Sequence, residues 1–197
     1  MSGKIAAMPY QFQNASVLVV DDMKPMLQLV TKVLGIFGFK KIYTAMDADD
    51  AYIKFCHHNP DIVITDWQMN PKAGAELIDR IRNAKESPNP FVPIILMSGY
   101  TALSRVKLAR DKGTTEFLMK PFTANDLYTR IEQMIENPRR FIDTKTYFGP
   151  DRRRRKASNY DGARRRLADR QNISSSTLRE VDDILGRLKP QPINRTK

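Results

Sequence analysis

The chain has 197 residues, 41% of them apolar, and a net charge of +11 from 33 Lys+Arg against 22 Asp+Glu. At roughly 100–200 residues per domain, that is one full domain with an appendage or two small ones. A single cysteine, Cys56, excludes an internal disulfide framework, and no Cys/His spacing resembles a zinc site. Cys56 reads as a buried or half-buried apolar residue of a reducing cytoplasm. The longest apolar runs, Val17 to Val20, Ile62 to Ile64 and Ile94 to Met97, fall far short of the roughly 18 residues a membrane span needs. Met1 to Tyr10 lacks the continuous apolar stretch of a signal peptide, so a soluble, cytoplasmic protein is expected.

Residues 1–14 carry no pattern and read as a flexible N-terminus. Ser16 to Val20 is a continuous apolar run, the kind buried on both faces of a parallel sheet. Pro25 to Phe37 follows as a helix, with Pro25 early in it and Gly38 at its end. Lys40 to Thr44 fits a weaker strand. Ala48, Ala51, Tyr52 and Phe55 then keep i, i+3, i+4, i+7 spacing, with Asp47 as N-cap. His57 and His58 close this helix, where imidazolium suits the helix dipole. Asp61 to Thr65 is a third strand, and Gly74, Leu77, Ile78 and Ile81 form a third helical face. Pro93 to Met97 is the fourth strand. Ala102, Leu103, Val106 and Ala109 predict a fourth helix, with Gly113 at its left-handed C-cap. Glu116 to Met119 is a weaker fifth strand. A near capping box, Thr123 to Asp126, opens a last helix that buries Leu127, Ile131, Met134 and Ile135. The alternation predicts an α/β fold: a doubly wound, five-stranded parallel sheet with helices on both faces.

In such sheets ligands bind beyond the carboxyl ends of the strands. Chemistry-bearing residues gather there: Asp21 and Asp22 after the first strand, Asp66 after the third, Ser98 after the fourth and Lys120 after the fifth. Three carboxylates brought together repel one another, and a hard divalent cation relieves that repulsion. Mg²⁺ is favoured because it keeps waters and accepts one or two carboxylates plus phosphate oxygens. A lysine in the crevice can pair with a carboxylate at rest and with a phosphoryl group on its arrival. The constellation suits transfer of a phosphoryl group onto Asp66.

These residues resemble the receiver domain of bacterial two-component response regulators, of the single-domain, CheY-like kind, over about residues 15–137. The likeness rests on Asp21-Asp22, Asp66, Ser98, Lys120-Pro121-Phe122 and Gly74 at the head of the third helix. It implies the (βα)5 flavodoxin-like fold and a phosphorelay switch rather than a turnover enzyme. Asp66 would accept a phosphoryl group from a histidine kinase or histidine phosphotransfer protein. Asp21, Asp22, Asp66 and the main-chain carbonyl of Gln68 would hold Mg²⁺. Lys120 and Ser98 would ligate the phosphoryl oxygens. Phe117, with Ser98, would be the switch, reshaping the face made by the fourth helix, fifth strand and fifth helix toward a downstream protein. Two departures stand out. Asn70 sits where the family usually has proline, which is expected to loosen the loop after Asp66. The switch ring is Phe rather than Tyr and lacks a hydroxyl anchor. Gln68 and Tyr100 occupy positions that in receivers tune the lifetime of the phosphoryl group.

Other readings are weaker. Haloacid-dehalogenase-type phosphatases need a second aspartate two residues beyond the nucleophile, where this chain has Gln68. No Gly-x-Gly-x-x-Gly run or Gly-Lys-Ser/Thr phosphate loop is present. Taken alone, Asp21-Asp22 could simply cap a helix, and Phe117 could be ordinary core.

The charge is concentrated after Pro138. Residues 1–138 hold 16 Lys+Arg and 15 Asp+Glu, and residues 139–197 hold 17 and 7, so the two parts carry +1 and +10. With Leu, Ile, Val and Phe making 11 of the last 59 residues, residues 138–197 read as a basic, mostly disordered tail. Two arginine clusters, Arg152, Arg153, Arg154, Arg155 and Arg164, Arg165, Arg166, offer the alternative function: a DNA- or RNA-binding regulator using the tail as output. No basic amphipathic helix or lipidation signal points to a membrane. Near residues 175–188, Ser174 to Thr177 lead into Leu178, Val181, Ile184, Leu185 and Leu188, one apolar stripe on a short helix. That stripe needs a surface, either the switch face or a partner's groove. It is too short for a helix-turn-helix domain.

Overall fold

The computed structural model describes residues 10, 12–70, 74–99, 110–144 and 146–152. The apolar runs form strands β1 (Ser16–Val20), β2 (Lys41–Ala45), β3 (Ile62–Asp66), β4 (Ile94–Ser98) and β5 (Glu116–Met119). Helices α1 (Lys24–Ile36), α2 (Ala48–His58), α3 (Gly74–Asn83) and α4 (Ala124–Glu136) lie between and after them, followed by strands β6 (Phe141–Thr144) and β7 (Tyr147–Pro150). The predicted helix on Ala102 to Ala109 falls outside the described residues, although Arg110 and Asp111 are helical and Gly113 takes the predicted left-handed turn at φ 93°.

The five main strands are parallel in the order β2-β1-β3-β4-β5, the predicted doubly wound arrangement. Continuous apolar runs have no polar face to offer water, so β1, β3 and β4 are buried along their whole length. Alternate residues feed two cores. Val17, Val19, Ile62, Ile64, Ile95 and Met97 pack against α1 and α4, and Leu18, Val20, Val63, Ile94 and Leu96 pack against α2 and α3. Each such side chain contributes about 1.5–3 kcal/mol.

Capping follows the sequence. Asp47 accepts the Asp50 N–H at 2.8 Å, and Thr123 and Asp126 close a complete capping box. His57 and His58 sit in the last turn of α2, with His58 stacked on Tyr43 at 3.9 Å. Cys56 differs from expectation. It is exposed, because α2 buries Ala48, Ala51, Tyr52 and Phe55, and the next residue is rotated off that face.

Residues 138–152 also differ from the disordered tail expected there. β6 and β7 pair as an antiparallel hairpin. Its rings cluster with Phe91: Phe91–Phe141 at 5.1 Å, Phe91–Phe148 at 5.2 Å and Phe141–Phe148 at 5.7 Å. Gly149 lets the hairpin close on the turn before β5, since a Cβ there would stand 2.9 Å from the Gly113 Cα. Beneath it Arg82 is buried, donating Nε to the Gly113 carbonyl at 3.1 Å and Nη1 to the Pro90 carbonyl at 2.6 Å. The hairpin thus covers the N-terminal end of β4 and β5, away from the crevice.

Candidate functional site

The strand order reverses between β1 and β3: from β1 the chain goes outward to β2, and from β3 it goes the other way. The crevice at that reversal opens beyond their carboxyl ends. Asp66 is the last residue of β3, and Asp21 and Asp22 follow the last residue of β1. One oxygen from each of the three carboxylates lies within 4.8 Å of the others. Among the described residues this is the group of acidic, His or Cys side chains placed to hold a metal ion.

Lys120 follows β5 and reaches back into the group. Its Nζ lies 2.8 Å from Asp21 Oδ2 and 3.0 Å from Asp66 Oδ1. Asp21 is fully buried and uses its other oxygen to accept the Met23 N–H at 2.9 Å. It therefore steadies the entrance to α1 while its second oxygen faces the site. Burial pushes the Asp66 carboxyl above its ordinary value and Asp21 adds to the rise, against the pull of Lys120. Burial alone would lower the Lys120 ammonium, but its hydrogen bonds to Asp21 and Asp66 outweigh that and hold it above its ordinary value. At neutral pH the lysine is charged and shared between two carboxylates.

The rest of the crevice is polar and open, lined by Asp66, Trp67, Gln68, Ser98, Gly99 and Lys120. Ser98 ends β4 and is buried, and its carbonyl accepts the Lys120 N–H at 2.7 Å, which fixes the lysine's backbone against β4. The Trp67 N–H donates to the Met97 carbonyl at 2.8 Å, holding the turn after Asp66 to the same strand. Phe117 lies on β5, half-buried against the core shared with α2 and α3. Tyr100 lies outside the described residues.

Two positioning features were not legible as chemistry. The Gly74 N–H donates to the Trp67 carbonyl at 3.1 Å, and a Cβ on Gly74 would overlap the main-chain carbonyl oxygen of Asp66. Only glycine lets the first turn of α3 approach the phosphoacceptor candidate this closely. Asn70 is the second. Its main-chain N–H donates to Asp22 Oδ2 at 3.2 Å, a bond proline could not make. The departure expected to loosen the loop supplies a tie instead.

The tail arginines are not gathered here. Arg152 pairs with Asp111 at 2.6 Å and stacks over Tyr147 at 4.3 Å, so it belongs to the hairpin and not to a solvated cluster. Arg153, Arg154, Arg155, Arg164, Arg165 and Arg166 lie outside the described residues. No helix among the described residues is long and apolar enough to cross a membrane.

The family described as "Response regulator receiver domain" matches residues 17–132. The chain is similar to the chemotaxis protein CheY-3 of Vibrio cholerae, 27% identical over 124 residues that make 63% of this chain and 94% of that one. Among solved structures it resembles a response regulator receiver domain protein from Clostridium thermocellum, with TM-score 0.56, 31% identity, and 62% and 94% of the two chains covered. It also resembles a chain of the CheX-CheY-BeF3-Mg²⁺ complex of Borrelia burgdorferi, with TM-score 0.56, 28% identity, and 61% and 88% covered.

Proposed function

The chain belongs to the response regulator receiver domain family, and from that premise we propose that it is a phosphorylation switch of two-component signalling whose phosphoacceptor is Asp66. The observation that carries this is the shared ammonium. Lys120 sits 3.0 Å from Asp66 and 2.8 Å from Asp21, inside a crevice open to a donor.

An Asp66 carboxylate oxygen attacks the phosphorus of a phosphohistidine on a kinase or phosphotransfer protein. The O–P bond forms as the P–N bond breaks, and the imidazole leaves with a proton from solvent. Asp66 is suited to this because one oxygen is oriented by Lys120 while the crevice stays open beside it. Lys120 then exchanges part of its carboxylate pairing for the incoming phosphoryl oxygens, a charge-assisted contact of the same kind. The Ser98 hydroxyl, at the end of β4, would donate to another. Mg²⁺ fits the residues present, since Asp21, Asp22, Asp66 and the Gln68 carbonyl are all hard oxygen donors, and bound there it would neutralise charge on the carboxylates and phosphoryl group. The similar Borrelia CheY, solved with Mg²⁺, BeF3 and CheX, supports both the cation and a protein partner.

The output is a change in protein binding. Movement of Ser98 toward the phosphoryl group would leave room behind it for Phe117, on the neighbouring strand, to turn inward. This is a local charge event biasing an element with two packings.

Acetyl phosphate with Mg²⁺ should label the wild-type chain, and Asp66→Ala should abolish the label. Labelling that persists in Asp66→Ala would overturn the assignment. Trp67 fluorescence should change as Mg²⁺ is added, because its indole adjoins the crevice.

A further inference from the structure

Helix α1 carries two apolar ridges, and the fold uses one. Leu27, Val30 and Leu34 are buried in the core. Met26, Leu29, Val33 and Ile36 form a second ridge beside them, within an arc of about 80° at 3.6 residues per turn. Met26 and Val33 lean partly on the core, but Leu29 is 50% and Ile36 76% exposed. The helix has no carboxylate at all, and of its two lysines Lys32 borders this ridge.

The ridge has spacing 3, 4, 3. The tail holds the same spacing in Leu178, Val181, Leu185 and Leu188, outside the described residues. Two helical stripes of that spacing mesh as knobs into holes along a shared seam. Charge agrees with shape. Three of the tail's seven carboxylates, Glu180, Asp182 and Asp183, fall within four positions of this otherwise basic tail, beside the stripe. Helix α1 has lysines as its only charges.

Reach is sufficient. Residues 153–177 separate the hairpin from the stripe in sequence, and that number of residues can bridge at most roughly 85 Å. A domain of this size has a radius of gyration of about 15 Å. A second copy's α1 is a poorer occupant, because it would set Lys32 near Lys32 with no carboxylate to pair them. Among the described residues of the switch face, the exposed large apolar side chain is Met119.

We propose that residues 178–188 dock as a helix on the Met26–Leu29–Val33–Ile36 ridge of α1. The tail is thereby returned to the domain, with its arginine clusters looped out between two anchors. The ridge begins four residues after Asp22, so the docked segment also lies along the approach to the crevice.

Hydrogen exchange with mass spectrometry on the full chain tests this. Amides of residues 178–188 should exchange at least about tenfold faster in Leu29→Asp/Ile36→Asp than in the wild type. Ile36→Ser, at a position 76% exposed, should shift them in the same direction with the domain's own amides unchanged. Light scattering should give a monomer throughout. Equal exchange of 178–188 in wild type and variants overturns the proposal. So does protection that grows with concentration alongside a doubled mass, which would assign the ridge to a second copy.

Discussion

At the carboxyl end of the sheet three carboxylates gather about one ammonium, with Lys120 2.8 Å from Asp21 and 3.0 Å from Asp66. At the opposite end two carboxylates beside the hairpin, Glu116 and Asp111, pair with guanidinium groups. Arg139 meets Glu116 at 2.8 Å, Arg152 meets Asp111 at 2.6 Å, and an aromatic hairpin covers the join. The carboxyl end carries surplus negative charge in an open crevice, so it can respond to an arriving cation or phosphoryl group. The amino end is neutralised locally and sealed. On the function proposed above, one sheet would separate a part that changes state from a part that holds shape.

Removing Lys120 should break this contrast most sharply. Lys120→Met strands the fully buried Asp21 without its cation, and breaking a buried pair from one side costs about 3–5 kcal/mol. The same change should tighten Mg²⁺ binding, read by Trp67 fluorescence, because a competing positive charge has left. Weaker Mg²⁺ binding would show that the lysine organises the carboxylates more than it opposes the ion.

Phe141→Ala should cost about 3 kcal/mol in denaturant unfolding by opening the aromatic cluster. Labelling at Asp66 should stay at the wild-type rate. A slowed rate would mean that the two ends are coupled and the separation drawn above is wrong. Gly74→Ala has the converse signature. Overpacking costs about 1–3 kcal/mol, but the overlap falls on the Asp66 carbonyl, so labelling should drop by about tenfold or more even where the protein stays folded.

The smallest effect concerns neither end. Tyr10 donates to Glu136 at 2.8 Å, and that hydrogen bond, with burial, raises the phenol to about 12. Between pH 10 and 12 the unfolded chain loses this proton before the folded one does. The bond's contribution is therefore complete below pH 10 and lost as pH rises through 12. Titration of tyrosinate absorbance should lose one late group in Tyr10→Phe, while Tyr52, Tyr128 and Tyr147, raised by burial, stay late.

What was legible in the sequence is what depends on local pattern. Apolar runs at Ser16 to Val20 and Pro93 to Met97 announce buried parallel strands, and residues just past such strands must converge at one edge, which placed Asp21, Asp66, Ser98 and Lys120 together. The hairpin was not legible. The sequence between its strands, Lys145-Thr146, lacks the Asn-Gly or Asp-Gly that marks hairpins, and Phe141 and Phe148 gain their meaning from Phe91, some fifty residues earlier. Arg82 was hidden likewise, since its burial comes from that same hairpin. Gly74 was visible as a residue, yet the reason for it, a carbonyl oxygen where a side chain would stand, exists only in three dimensions.

The Asn70 amide gives the carboxyl end an internal witness. A cation that takes Asp22 must share or sever a 3.2 Å hydrogen bond from the loop after β3. The resonance of that single proton should therefore move whenever Asp22 changes partner, before any ring turns or helix shifts. A proline in its place would leave the event silent.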